Sequence, residues 1–244
     1  VSPVAGSSNG ILVLNGSFAR IGMIKKPVKV TVKDGYVARV AGNDEAEKIR
    51  KLMEIEALGA EILIVSANVS KLDDMQKVVD EVNDKFGWID GVIHAAGLIG
   101  DQTLTTINET TLETFSAQAV PKVLGLMVLE QIFATEPLDF CILTSSISTV
   151  LGGFGFAAYA AVNAYLDQYV EQEKSHLNHW MVINWDGWKF TTKSTSQRQS
   201  DIAELAIDPE EGSHAFLRIL GTPVVSRMIV STGSLDVRIS QWVN

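Results

Sequence analysis

Four side chains in this sequence have the types and spacing for acid chemistry at a carbonyl. Ser146, Tyr159 and Asn163 follow one another at intervals of thirteen and four, and Lys122 precedes Ser146 by 24 residues. Tyr159 and Asn163 stand at i and i+4, so on a helix they share one face. A hydride that reaches a ketone carbon builds negative charge on the oxygen. A phenol can supply the proton, but a free tyrosine titrates at about 10. A nearby ammonium such as Lys122 stabilises the phenolate and lowers that value. A hydroxyl such as Ser146 can hydrogen-bond the same oxygen as charge develops. Gly152, Gly153 and Gly155 lie between Ser146 and Tyr159 and let the connection bend close to a ligand. A lone Tyr-x-x-x-Asn reads as a half-buried helix tyrosine; the whole set carries the reading.

The elements that must position these residues are legible from residue 44 onward. The spacing predicts helices at 44–58, 71–86, 109–134 (interrupted at Pro121), 157–177 and 235–243, with another starting at Asp208-Pro-Glu-Glu211. In that last start Asp208 is the N-cap, Pro209 is N1 and Glu211 is N3. Short apolar runs predict strands at 61–67, 91–94, 140–144, 181–184 and 224–230. Buried apolar strands separated by amphipathic helices imply parallel strands joined by right-handed crossovers. The fold class is therefore α/β, a doubly wound and mostly parallel sheet. Ligands then bind beyond the carboxyl ends of the strands, where Ser146 falls, just past the strand 140–144. His94 reads as a core residue. Trp185 and Trp188 lie just after a strand. Residues 190–208, rich in Ser, Thr and Gln, read as a loop.

The first 43 residues follow a different grammar. Residues 28–32 and 36–40 alternate around Asp34-Gly35, a hairpin signal. The expected domains are accordingly an atypical N-terminal β segment, 1–43, and a body, 44–244.

Composition narrows the classes. The chain has 244 residues, 46% of them hydrophobic, enough for one domain with ample core. No uninterrupted run of 18 apolar residues exists, which rules a membrane span out, and no signal-peptide pattern is present. The start at Val1 suggests a piece of something longer. One cysteine, Cys141, excludes an internal disulfide or thiolate metal cluster and fits a cytoplasmic setting. The net charge of −9 argues against nucleic acid as partner. No metal site is expected.

The texts A-N-V (67–69), G-V-I-H-A-A-G (91–97), V-P-K-V-L-G (120–125), T-S-S-I-S (144–148), Y-A-A-V-N-A (159–164), I-N-W (183–185) and D-P-E-E-G (208–212) cover about 45–243. This region resembles the ketoreductase domains of modular polyketide synthases, within the short-chain dehydrogenase/reductase superfamily. Lys in V-P-K-V-L-G with Asn four residues after Tyr is typical of these ketoreductases. The resemblance implies a Rossmann-like fold and NADPH-dependent reduction of a β-ketoacyl thioester carried by an acyl carrier protein, among neighbouring synthase domains. It implies Tyr159 as proton donor, Ser146 as carbonyl partner, Lys122 tuning Tyr159 and touching the nicotinamide ribose, and Asn163 supporting Lys122 and a relay water. Ala95, Ala96 and Gly97 would pass close to the cofactor, and Asn68 and Val69 would lie by the adenine, with Asn68 where the family usually has Asp. Residues 190–208 would be a substrate lid. The retained Asp101, with Leu151 in place of a Trp, leans to the B-type hydroxyl outcome.

The Gly-rich phosphate turn fits less well. Its counterpart, L-N-G-S-F-A-R-I-G, keeps Gly16, Ile21 and Gly22, places Ser17 among them, and has no helix pattern after it. Residues 1–50 instead resemble a β-rich stretch of thermophilic-type metallo-aminopeptidases, without a metal-ligand cluster. A rebuilt first crossover and a foreign N-terminus both remain open. Three functions follow: a β-ketoacyl reductase, a catalytically silent ketoreductase-like scaffold, and an aminopeptidase fragment.

Overall fold

The computed structural model describes residues 10–14, 17–18, 22–23, 28–33, 36–41, 44–98, 105–172, 178–189, 205–222 and 225–242. The chain divides into two compact units, Val1–Ala67 and Asn68–Asn244. The division lies beyond the expected position at 43/44, so the first helix belongs to the N-terminal unit.

That unit holds β1 (Gly10–Leu14), β2 (Ser17–Phe18), β3 (Gly22–Met23), β4 (Val28–Lys33), β5 (Tyr36–Ala41) and α1 (Asp44–Ala57). β4 pairs antiparallel with both β1 and β5. Lys33 faces Tyr36 across the ladder, the register of a two-residue hairpin connection; Asp34 and Gly35 lie outside the described residues. α1 buries Ala46 and Ile49, and Arg50 Nη1 donates to the Val40 carbonyl at 3.1 Å. One expected strand is absent. Residues 61–67 form no ladder with any described strand. Apolar sequence alone cannot satisfy a strand's backbone.

The second unit contains α2 (Leu72–Phe86), β6 (Gly91–His94), α3 (Leu112–Ala119), a π-helical turn (Val120–Leu124), α4 (Gly125–Ile132), β7 (Phe140–Ser146), α5 (Ser148–Leu151), α6 (Ala157–Gln172), β8 (Trp180–Trp185), α7 (Pro209–Leu220), β9 (Arg227–Val230) and α8 (Leu235–Trp242). The four strands are all parallel, in the order β6-β7-β8-β9. Alternate residues of β7 and β8 explain the layering. Cys141, Leu143, Trp180 and Val182 pack with Leu126, Leu129, Phe133, Leu166 and Val170 of the α4 and α6 layer. Ile142, Met181 and Ile183 point the other way and pack with Ile219 of α7. Each such side chain, fully buried, contributes about 1.5–3 kcal/mol. Burial raises the Cys141 thiol to about 11, which leaves it inert.

The stretch Leu112–Ile132 has the length and composition of a membrane span, although no uninterrupted apolar run predicts one. Its polar Gln118 and Lys122 are buried against protein. Asp208 caps α7 as expected, accepting from the Glu210 and Glu211 N–H groups at 3.0 and 2.9 Å, while Glu211 reaches back to the Asp208 N–H. Among the described residues the parallel sheet is half of a doubly wound one. Its strand order never reverses, so it contains no topological switch point of its own.

Candidate active site

β7 extends two residues further than expected, so Ser146 is its last residue, at the carboxyl edge of the sheet. Ser146 Oγ accepts the Ser148 N–H at 3.1 Å, which turns the chain into α5 and leaves the hydroxyl proton uncommitted. The chain then passes Gly153, held at φ 139°, where a Cβ would meet the Phe156 ring at 2.6 Å. α6 follows with Tyr159 in its first turn. The Phe156 and Tyr159 rings lie 5.8 Å apart. A cleft of about 490 Å³ opens between residues 106–108 and 152–157, immediately before Tyr159.

Asn163 is fully buried; its Nδ2 donates to the Tyr159 carbonyl at 2.8 Å, and its Oδ1 has no partner among the described residues. Lys122 sits in the π-helical turn, also buried. Its Nζ donates to the Thr144 carbonyl at 2.7 Å, two residues before Ser146. Desolvation lowers its pKa to about 8 against an attraction from Asp167. The sequence-predicted residues thus gather along β7 and α6. Among the described residues, however, no hydrogen bond joins the Tyr159 phenol to Lys122 or Ser146.

Several residues that hold this geometry escape a reading based on spacing. Asn184 Nδ2, fully buried on β8, lies within 3.2 Å of Ser145 Oγ, the Ser146 carbonyl, Thr149 Oγ1 and both Asp167 oxygens. Its two N–H groups share these acceptors and tie the end of β7 to α6. Arg227 pairs with Asp167 at 2.8 Å and donates to Asn184 Oδ1 at 3.1 Å. Asp167 stands four residues after Asn163, a helical spacing that could have revealed it. The partners on β8 and β9 carry no local signal.

The residues around a nicotinamide end are compatible with a dinucleotide. Ala95, Ala96 and Gly97 continue from the carboxyl end of β6 with only small side chains. A Cβ on Gly97 would stand 3.0 Å from Lys122 Cε. Lys122 offers a donor and Asn163 Oδ1 an orphan acceptor. At the other end, Asn68 Oδ1 accepts from Ser70 N–H and Oγ at 3.1 and 2.7 Å. Val69 is the side chain that a Cβ on Gly125 would meet at 3.1 Å. Of the phosphate turn expected at Gly16, Ser17, Ile21 and Gly22, the described residues Ser17 and Gly22 lie in short strands. Ser17 pairs with Met23, and Phe18 with Gly22, in an antiparallel ladder. The next described element is a strand, Val28–Lys33, and the text Lys25-Lys26-Pro27 carries no helical pattern. Gly16 and Ile21 themselves lie outside the described residues, as do Asp101 and 190–204 of the expected lid. Leu151 is buried at the end of α5.

A parallel α/β sheet with a serine at a strand end, a tyrosine on a following helix and a buried lysine against the same strand is a Rossmann-like arrangement with its candidate site at the carboxyl edge of the sheet. The KR domain model matches residues 28–190, and the chain belongs to that family, the ketoreductase domains of the short-chain dehydrogenase/reductase superfamily. The match begins at Val28, within the atypical N-terminal segment, and gives no support to the aminopeptidase resemblance there. Polyketide synthase PksM of Bacillus subtilis is 32% identical over 196 residues, 78% of this chain and 4% of that protein. A 6-methylsalicylic acid synthase of Arthrobotrys oligospora is 36% identical over 151 residues, 61% of this chain and 8% of that protein. The chain therefore spans a small fraction of these relatives. An N-terminal ketoreductase from the macrolactin assembly line superposes with a TM-score of 0.67 at 29% identity, covering 84% of this chain and 40% of that one. A ketoreductase domain from the bacillaene assembly line gives 0.68 at 25% identity, covering 84% and 50%.

Proposed function

We propose that this chain reduces the β-keto group of a β-ketoacyl thioester, presented by an acyl carrier protein within a polyketide synthase, to the β-hydroxyacyl thioester. NADPH, when bound, supplies the hydride. Ala95, Ala96, Gly97, Lys122 and Tyr159 would hold its nicotinamide end, and Asn68 and Val69 its adenine. Ser146 Oγ–H donates to the ketone oxygen and orients it. Tyr159 gives that oxygen its proton, so the developing alkoxide leaves as a neutral hydroxyl. The Lys122 ammonium stabilises the phenolate left on Tyr159, and Asn163 fixes the turn of α6 beneath it. The cleft beside residues 152–157 has room for the acyl chain. The observation that carries this reading is the buried Lys122, bonded to the strand that ends in Ser146.

The β2–β3 ladder favours a second reading, a catalytically silent scaffold, since a dinucleotide fold uses a glycine turn and a helix N-terminus at its pyrophosphate. Titration of the chain with NADPH, followed by nicotinamide fluorescence, separates the two. Saturable enhancement below millimolar cofactor is expected. Its absence up to that concentration supports the scaffold.

A further inference from the structure

His94 ends β6 with 3% of its surface exposed. Its Nε2 lies 3.0 Å from the Lys122 carbonyl. A carbonyl only accepts, so that nitrogen carries the hydrogen. Burial, with the Lys122 charge adding to it, lowers the imidazole pKa against the pull of that hydrogen bond. His94 is therefore a neutral ring with a fixed tautomer. Two further bonds close a circuit. Lys122 Nζ donates to the Thr144 carbonyl at 2.7 Å, and Thr144 Oγ1 donates to the His94 carbonyl at 3.0 Å. Three bonds thus join the end of β6, the π-helical turn and the β7 residue two places before Ser146.

The packing is built around this ring. A Cβ on Gly125 would stand 2.9 Å from His94 Cε1 and 3.1–3.2 Å from both Val69 methyls, so the glycine after the π turn makes room for the imidazole. That turn departs from the α-helical pattern where Pro121 offers no N–H, and the Gly125 N–H is shared between the Lys122 and Val120 carbonyls. An irregular turn needs an outside partner to select one register, and the His94 N–H is the side-chain donor on the Lys122 carbonyl.

We propose that His94 is a positioning residue for Lys122: by donating to the Lys122 carbonyl it locks the π-helical turn in the register that delivers the ammonium to the Thr144–Ser146 edge of the sheet. Its relevance to turnover rests on the reductase reading, whereas the placement of Lys122 does not.

The test uses the full chain and two variants, His94→Leu, which fills space without a donor, and His94→Gln, which restores an N–H. The Lys122 titration is read by NMR of lysine labelled with 13C at Cε, assigned by its loss in Lys122→Met. In the wild type it should fall at about 8. His94→Leu is expected to move it by more than half a pH unit toward the ordinary lysine range as the turn relaxes and water reaches the amine. His94→Gln should hold it near the wild-type value. In the reduction assay kcat should fall at least tenfold in His94→Leu, with partial rescue in His94→Gln and little change in KM. An unmoved Lys122 titration in folded His94→Leu overturns the proposal, and so does an equal shift in both variants. If His94→Leu does not fold, His94→Gln decides alone: a displaced Lys122 titration counts against the proposal. A silent wild-type enzyme with the expected titrations overturns the reductase reading and leaves the positioning role standing.

Discussion

In the proposed reaction Tyr159 and Lys122 would divide one proton's work between them, and their environments differ. The phenol is half-buried beside a cleft, whereas the ammonium is buried against the Thr144 carbonyl. Replacing Tyr159 by Phe would remove the proposed proton donor and leave Ala95, Ala96, Gly97 and Lys122 to hold the cofactor. Reduction should fall by about 10²–10⁴-fold with the NADPH dissociation constant changed less than threefold, measured by steady-state kinetics and fluorescence titration. Lys122 makes a prediction about stability. Its pKa falls from the ordinary 10.5 to about 8 on folding because burial disfavours the charge. Between those values the unfolded chain binds the proton that the folded chain has lost, so stability rises with pH. Against Lys122→Met, the wild type should gain up to about 3 kcal/mol of unfolding free energy between pH 8 and 10.5, read from urea denaturation at each pH. A constant difference across that window would contradict a buried, strained ammonium. Activity should decline over the same rise through pH 8 as the ammonium is lost.

At the scale of elements, ion pairs and amides hold β7, α6, β8 and α8 in mutual register. Arg238 on α8, half-buried, pairs with the buried Asp186, just past β8. Asp186 also accepts the Gly187 N–H at 3.0 Å and Thr232 Oγ1 at 3.2 Å. Arg238→Met leaves that carboxylate without its cation. The expected cost is about 3 kcal/mol, visible as a lower urea midpoint at unchanged slope; a loss under 1 kcal/mol would show that the backbone and threonine donors suffice. What sequence could reveal of this architecture follows the range of the interactions. Helices with an apolar stripe or a capping box, such as α2 and α7, were legible because their signals lie within a few residues. β6, β7 and β8 were legible as short apolar runs, and Ser146, Tyr159, Asn163 and Lys122 by resemblance and spacing. The run at 61–67 misled because a strand depends on a neighbour that its own residues do not specify. The Asn184–Asp167–Arg227 cluster and the His94 circuit stayed hidden because their bonded members lie 17 to 60 residues apart and meet only when the sheet forms.

For the whole molecule, the reductase account asks one half of a doubly wound fold to carry the chemistry. The second unit supplies the strand edge, the helix with Tyr159 and the buried lysine. The N-terminal unit carries antiparallel ladders where a dinucleotide fold has its phosphate turn and crossover helix. Under the proposed function the nicotinamide would be held mainly from the side of β6, the π turn and α6. The direct test is isotope transfer. The chain is incubated with NADPH bearing deuterium at the transferable C4 position and a β-ketoacyl thioester, and the product is examined by mass spectrometry and NMR. The account predicts one deuterium at the β-carbon of the hydroxyacyl product, and none when Tyr159 is replaced by Phe. An unlabelled product, or none at all from a folded wild-type chain saturated with cofactor, would contradict it.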